Sequence, residues 1–212
     1  MCFFRVQKNG TESGYNYAGS PPPFDQSNGV GILHVNLGDL TLANIGGVNY
    51  VSIHFDGNNN AGLTWTDFRV FQHSDPTNLD PVLLASTETD INNLVLGALV
   101  YDMLGTNTGG ANTLQITAFS SGSGTDDMTI NIPVANFLGA GYSLNDDIYF
   151  WTKMTGGQGG FEEFAYLQTG ATVAASLVPE AHSIWGGGAM VASLLVGGLV
   201  QQRRRRSAAA TA

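Results

Sequence analysis

The sequence has little charge and a single cysteine. Charged residues make up 12% of its 212 positions, about half the share found in ordinary globular domains. One cysteine, Cys2, excludes an intramolecular disulfide and a metal site built from several thiolates. Because a domain of this length can bury a core without disulfides, the low cysteine count is compatible with export from the cell.

Basic residues are scarce outside the C-terminus. Arg203, Arg204, Arg205 and Arg206 are four of the eight Lys and Arg residues, so the rest of the chain carries four basic against 17 acidic residues. A body this acidic repels phosphate backbones, which argues against duplex nucleic acid as a partner. The acidity can attract cations such as Ca²⁺, although solubility is the commoner reason for it.

Motifs of common catalytic sites are also absent. The sequence has no GxSxG elbow, no P-loop and no GxGxxG segment that opens a helix. Glu162 and Glu163 are adjacent, and adjacent side chains on a strand point to opposite faces, so they cannot flank one glycosidic bond together. We therefore expect a protein without catalytic activity, and a secreted hydrolase is the least favoured interpretation. Metal-binding spacing such as HxH or HExxH is missing around His34, His54, His73 and His182.

The body of the chain consists of short segments rich in β-branched and aromatic residues, separated by Gly, Asn and Ser turns. This pattern predicts an all-β fold over residues 31–170, a β-sandwich of jelly-roll or immunoglobulin-like type. Residues 1–30 are predicted to be a tail or loop. Segment 90–104 fits either a strand or one helical face, and we favour the strand. The predicted strands are 31–37, 48–55, 63–72, 113–120, 128–134, 147–154 and 161–168.

The C-terminus contains an uncharged run followed by the arginine cluster. The run, residues 184–200, has 17 positions, and as a helix it spans roughly 25 Å, the short end of what crosses a bilayer. Its glycines are tolerated in lipid. Arginines 203–206 are costly to bury, so they stop transfer and stay cytoplasmic within a tail 201–212. We predict one transmembrane helix with the body outside; the alternative, a buried core helix, rarely runs this long without a polar face.

A short motif in the linker 171–183 precedes the apolar run, and its residues are Val178, Pro179, Glu180 and Ala181. A Pro-Glu-Pro element, a transmembrane stretch and a basic cluster, in this order at the extreme C-terminus, define the PEP-CTERM sorting signal, which this end of the chain resembles. Ala181 stands where the family has its second proline. The resemblance implies recognition by an exosortase, a transpeptidase-like membrane enzyme of Gram-negative bacteria. It also implies cleavage near the motif and transfer to the cell surface or the exopolysaccharide matrix.

A second resemblance lies in the body of the chain. The segment from Val100 onward includes the run that begins at Ser121 and ends in Gly160-Phe161-Glu162-Glu163-Phe164, and it is similar to a group of PEP-CTERM proteins with a GFEEW-like ending. Phe164 stands where that group has Trp. This resemblance implies export and no particular chemistry.

The N-terminus lacks a visible export signal. Such a signal needs a basic start and roughly 7–15 apolar residues, whereas Arg5 interrupts the apolar run directly after Phe4. If the C-terminal interpretation holds, we expect the signal to lie upstream of Met1.

The best metal candidate is the loop that spans residues 56–67. Oxygen-bearing side chains occur at positions 1, 3, 5, 9 and 12 of a Ca²⁺-loop spacing. The loop has alanine where the sharp turn of such loops needs Gly, and an Asn- and Gly-rich hairpin turn is the favoured alternative. The candidate Ca²⁺ ligands are Asp56, Asn58, Asn60 and Asp67.

Two acidic pairs and three aromatic residues complete the candidates. The pairs, residues 126–127 and 146–147, fit Ca²⁺ binding at a sandwich edge, although solvated turns are the commoner use. Trp65, Tyr149 and Trp151 could form a sugar-stacking face, but core packing is favoured.

Two interpretations of function follow. The preferred one is an exported, inner-membrane-anchored protein of the cell surface or matrix, with an exosortase and the lipid bilayer as partners and exopolysaccharide as a candidate third. The alternative is an extracellular carbohydrate-binding module, with Ca²⁺ as its candidate cofactor.

Overall fold

The computed structural model describes residues 2–16, 24–26, 35–58, 62–74, 85, 87–105, 112–117, 126–139, 141–166 and 173. All of them belong to a compact unit that spans Met1–Ala175. No residue of the second unit, Ser176–Ala212, is described, so the predicted sorting motif, transmembrane helix and arginine cluster lie outside the described residues. In the part of the chain that is described, no helix has the length and apolarity needed to cross a membrane.

The fold is all-β, with ten strands and one short helix in the described residues. The strands are β1 (Cys2–Val6), β2 (Asn9–Tyr15), β3 (Leu42–Ile45), β4 (Val48–Gly57), β5 (Leu63–His73), β6 (Ala98–Asp102), β7 (Leu114–Ile116), β8 (Met128–Pro133), β9 (Asp147–Gln158) and β10 (Glu162–Tyr166). The helix is α1 (Glu88–Asn92), and two 3₁₀ turns span Leu37–Asp39 and Val134–Asn136.

The strands form two antiparallel sheets. In the first, β1 pairs with β10 and β10 with β4, and both β3 and β8 also pair with β4. In the second, β2 pairs with β9 and β9 with β5, and both β6 and β7 also pair with β5. Successive described strands change sheet six times, after β1, β2, β4, β7, β8 and β9. Because Val6 and Gly57 both pair with Glu162, the passages after β1, β4 and β9 lie at one end of the structure, which we call the crossing end.

Aromatic rings from the two sheets fill the space between them. The ring centroids of Phe55 in β4 and Trp65 in β5 are 4.6 Å apart, and those of Phe3 and Phe150 are 5.0 Å apart. Each of these side chains is at most 1% exposed. Burial of such large apolar surfaces supplies most of the stability of a fold of this kind.

The outer face of the second sheet carries an apolar cluster of its own, which we call the outer cluster. Helix α1 lies against it through Ile91. This five-residue helix begins in a capping box, in which Thr87 and Asp90 exchange side-chain and backbone hydrogen bonds, and such boxes stabilise short helices. The outer cluster consists of Tyr15, Phe71, Ala85, Ile91, Leu96, Tyr149 and Trp151.

The predicted tail or loop over residues 1–30 is wrong where β1 and β2 form. The short apolar run Cys2–Val6 is a strand that pairs with β10. Strand β2 shows no apolar alternation because two of its inward positions are Glu12 and Gly14; a Cβ on Gly14 would lie 2.9 Å from the Val6 side chain.

Predicted strands elsewhere agree with the structure to different degrees. Strands β4, β5, β8 and β9 are confirmed, with bounds that shift by up to four residues. The strand predicted over 31–37 is wrong at Leu37, which begins a 3₁₀ turn. Segment 90–104 contains the end of α1 and all of β6, so the preference for a single strand is wrong there. Leu94, at φ 59°, and Gly97, at φ 115°, turn the chain between these two elements.

Candidate functional site

The segment Gly160–Phe164 lies at the crossing end and contacts residues of several strands and connections there. A Cβ on Gly160 would collide with the backbone carbonyl of Asn58. The connection between β9 and β10 therefore packs, backbone against backbone, on the connection between β4 and β5. The Arg5 guanidinium lies 4.3 Å from the ring centroid of Phe161 and 3.9 Å from the Glu163 carboxylate. This outer-face contact joins β1 to the start of β10.

Glu162 points to the opposite face from Glu163, as predicted, and meets Glu12 of β2 between the sheets. Both side chains are 0% exposed, and their carboxyl groups are hydrogen-bonded to each other. The backbone N–H of Lys8 donates to Glu12 Oε2 at 3.1 Å. Burial, followed by the neighbouring Glu12 carboxyl, raises the pKa of Glu162 to about 9, and burial also raises the pKa of Glu12. The two carboxyls therefore share a proton.

This carboxyl pair does not have the geometry of a glycosidase pair. Glycosidase carboxyls lie roughly 5–10 Å apart so that a sugar bond or a water fits between them. Glu12 and Glu162 are in direct hydrogen-bond contact and closed to solvent. Their arrangement joins the two sheets at the crossing end.

The structure does not bring the predicted Ca²⁺ ligands together. Asp56 lies in β4 of the first sheet and Asp67 in β5 of the second, Asn58 is exposed, and Asn60 lies outside the described residues. Asp67 accepts hydrogen bonds from Arg69 Nε at 3.0 Å and Trp151 Nε1 at 2.7 Å. It is therefore the buried charge partner of Arg69, which corrects its prediction as the last ligand of the loop.

No cluster of three or more His, Cys, Asp or Glu side chains suited to a metal ion occurs within the described ranges. In the first acidic pair, Asp126 lies 2.5 Å from His54 Nδ1. Asp127 Oδ2 accepts the backbone N–H of Gly57 at 2.8 Å. These two acids thus fix the ends of β4 and β8.

The three aromatic candidates are buried, as the favoured interpretation predicted. Trp65 lies between the sheets at 0% exposure, and Trp151 and Tyr149 belong to the outer cluster at 1% and 5%. A sugar-stacking face made of these rings is therefore wrong.

A polar network docks α1 against the second sheet. Arg69 Nη2 donates to Asn92 Oδ1 at 3.1 Å, and Lys153 Nζ lies 2.8 Å from the Glu88 carboxylate. These groups line a small cavity of about 160 Å³. Because Arg69 also carries the Asp67 contacts, the network holds the helix in place.

A larger groove lies between the end of β5, strand β6 and residues 136–139 and 141–146. Its volume is about 560 Å³, within the range of roughly 300–1,000 Å³ typical of ligand sites. We call it the Tyr142 groove, after the ring that is 40% exposed in its wall. The lining residues are Gln72, His73, Ser74, Gly97, Ala98, Leu99, Val100, Asn136, Phe137, Gly139, Gly141, Tyr142 and Asp146.

Asp146 is the buried charge of this groove. The residue is 1% exposed, and its Oδ2 accepts Gln72 Nε2 at 2.6 Å and the Ser143 backbone N–H at 2.9 Å. Oδ1 has no hydrogen-bond partner among the described residues. A buried carboxylate oxygen without a donor is uncommon, because its desolvation is left uncompensated.

Comparison with protein-family models, with curated proteins and with solved structures gives no match. The sequence singled out Asp146 as half of an acidic pair, but it missed Glu12 and Tyr142. Neither residue has a local signal, since each gains its role from partners that are distant in sequence.

Proposed function

We propose that the chain is an exported, non-catalytic protein, held at the outer face of the inner membrane by helix 184–200 and addressed onward by a PEP-CTERM signal. The observation that supports this best is the order of parts. The compact unit ends at Ala175, inside the predicted linker 171–183, and the motif, the apolar run and the arginines all follow it. A sorting signal that follows a folded unit in the chain is accessible to a membrane enzyme.

The displayed body, in this proposal, is a β-sandwich of jelly-roll type. The ladders of β8 and β10 on β4 overlap at Ile53–Phe55, so these strands flank β4 on opposite sides. The resulting orders, β1-β10-β4-β8 and β2-β9-β5-β6, correspond to two interleaved Greek keys. This order favours the jelly roll over the immunoglobulin-like alternative, in which fewer successive strands change sheet.

The absence of catalysis is part of the same proposal. The carboxyl pair Glu12–Glu162 is closed to solvent, and Glu163 is engaged with Arg5. The motif that resembles GFEEW-like proteins thus has structural contacts for each of its residues, which supports a role in folding.

The decisive experiment locates the mature C-terminus. The chain, fused to an export signal, is expressed in a Gram-negative host that contains an exosortase and in the same host without it, and intact mass is measured on the surface fraction. We expect cleavage near Pro179 only in the first host, and loss of cleavage in Glu180→Gln. A surface-exposed chain that retains Arg203–Arg206 in both hosts would show that the C-terminus anchors the protein in the membrane but is not cleaved by an exosortase. A chain found in the cytosol despite the export signal would refute display.

A further inference from the structure

We propose that the Tyr142 groove binds a neutral saccharide, whose hydroxyl groups donate hydrogen bonds to Asp146. The inference goes beyond the proposed function, which needs no ligand. It rests on the groove's volume, on its buried carboxylate and on its exposed aromatic ring.

The polar wall of the groove combines the Asp146 carboxylate, which accepts, with amide and hydroxyl groups that both donate and accept. Asp146 is acceptor-only when ionised, and its Oδ1 has no partner among the residues described. One amide N–H of Gln72 is engaged by Asp146 and one of Asn136 by the Val100 carbonyl, so each amide keeps an oxygen acceptor and a second N–H donor. A ligand that matches this wall must carry groups that both donate and accept, close together, as the vicinal hydroxyls of a sugar do.

The apolar part of the wall fits the same ligand. Tyr142 exposes 40% of its surface, and the half-buried Leu99 and the buried Phe137 also line the groove. Sugar rings present C–H faces that pack on such surfaces, while their hydroxyls point to the polar side. A Cβ added at Gly139 or Gly141 would meet no atom within 4 Å, so the wall beside Tyr142 has open space at both positions.

Charge selects a neutral saccharide over an acidic one. Asp146 is the one Asp or Glu among the described residues that line the groove, and the chain has a net charge of −9. A uronate would be repelled by both. A Ca²⁺ ion is also a poor fit, because it requires six to eight oxygen ligands and this wall offers a single carboxylate.

The test measures binding by the full chain, purified in a detergent without a sugar headgroup. Isothermal titration is carried out with cellohexaose, xylohexaose and mannohexaose as neutral probes, hexagalacturonate as the acidic probe and spermidine as a cationic donor. We expect at least one neutral hexaose to bind with Kd below about 1 mM. Hexagalacturonate should bind at least tenfold more weakly, and EDTA should have no effect.

Three variants locate the site. In Asp146→Asn the amide oxygen takes the place of Oδ2 and still accepts from Gln72 and Ser143, while an N–H₂ group of the same shape replaces Oδ1. Because the free acceptor is lost, we expect the affinity for the saccharide to fall at least tenfold. Tyr142→Ala, which removes an exposed ring, should weaken binding about fivefold or more. Ile45→Ala, 49% exposed on the other sheet, is the matched control and should bind like the wild type.

The proposal is overturned if no neutral hexaose binds, if spermidine binds and the hexaoses do not, if EDTA abolishes binding, or if Tyr142→Ala binds as well as the wild type. Should Asp146→Asn fail to fold, Tyr142→Ala decides alone. The titration uses purified chain without an exosortase, so a lack of saccharide binding would not contradict the sorting proposal. In the same way, a lack of cleavage near Pro179 would not contradict saccharide binding in the groove.

Discussion

Two glutamates with no contact to solvent control how the crossing end responds to pH. A carboxyl buried between sheets loses its hydration, which disfavours its charged form. Two such groups in hydrogen-bond contact can hold one proton between them, but a second negative charge is strongly opposed. Glu12 and Glu162 are both 0% exposed, so loss of that proton destabilises the crossing end.

The stability of the protein should therefore fall as the pH rises. The folded state binds more protons than the unfolded state between the ordinary glutamate pKa of 4.5 and the raised value of about 9 for Glu162. The contribution is thus complete below pH 4.5 and is lost toward pH 9, at up to about 1.4 kcal/mol per pH unit. In Glu162→Gln, which cannot ionise and can still donate to Glu12, we expect a smaller slope and higher stability than the wild type at pH 8.

Urea unfolding at pH 5, 6, 7 and 8 measures this slope. Glu163→Gln is the matched control, since the adjacent residue lies on the outer face with Arg5, and its slope should equal that of the wild type. An equal slope in Glu162→Gln and the wild type would show that the pair does not hold the proton.

Strands were predictable where their buried face is apolar. Strand β4 alternates Val51, Ile53 and Phe55 inward, and this alternation predicts its position to within two residues. Strand β2 places Glu12 inward, which no periodicity rule for a core strand recovers. Helix α1 was missed because five residues in a capping box are too short for a helical period.

The close contact between Gly160 and the Asn58 carbonyl predicts how a substitution there affects the pairing of β10 with β4. Gly160→Ala places a Cβ against the Asn58 carbonyl, so β10 must shift relative to β4, and we expect a loss of about 1–3 kcal/mol in the free energy of unfolding. Gly139→Ala is the control, because a Cβ there meets nothing within 4 Å, and its change should stay within about 0.5 kcal/mol. Both are measured by urea unfolding; equal stabilities would contradict the packing described for the crossing end.

The candidate sites were less predictable than the strands, for a physical reason that concerns the whole molecule. The Ca²⁺ interpretation treated Asp56 and Asp67 as neighbours in one loop, whereas the fold assigns them to different sheets. The Tyr142 groove joins residues from three separate parts of the chain. Spacing in sequence reports local geometry alone, and these sites are built from long-range contacts.

The compact unit Met1–Ala175 should fold without the residues that follow it. Val173 is 0% exposed, and its N–H donates to the Leu40 carbonyl at 3.0 Å. A chain that ends at Ala175 should therefore unfold at the same urea concentration as the full chain in the same detergent, measured by far-UV circular dichroism. A chain that ends at Gly170 loses the buried Val173 and should be less stable by about 2 kcal/mol or more. Equal midpoints for the two truncated chains would exclude this role of Val173.

The pairing of the first strands with the last ones has a consequence for the time course of folding. Strand β1 pairs with β10 and β2 with β9, so the earliest segments to leave a ribosome or a translocation pore obtain their ladders last. Contacts between such distant segments slow folding. We therefore expect both sheets of a nascent chain to stay incomplete until Tyr166 has emerged, and an incompletely folded chain can still pass through a narrow pore.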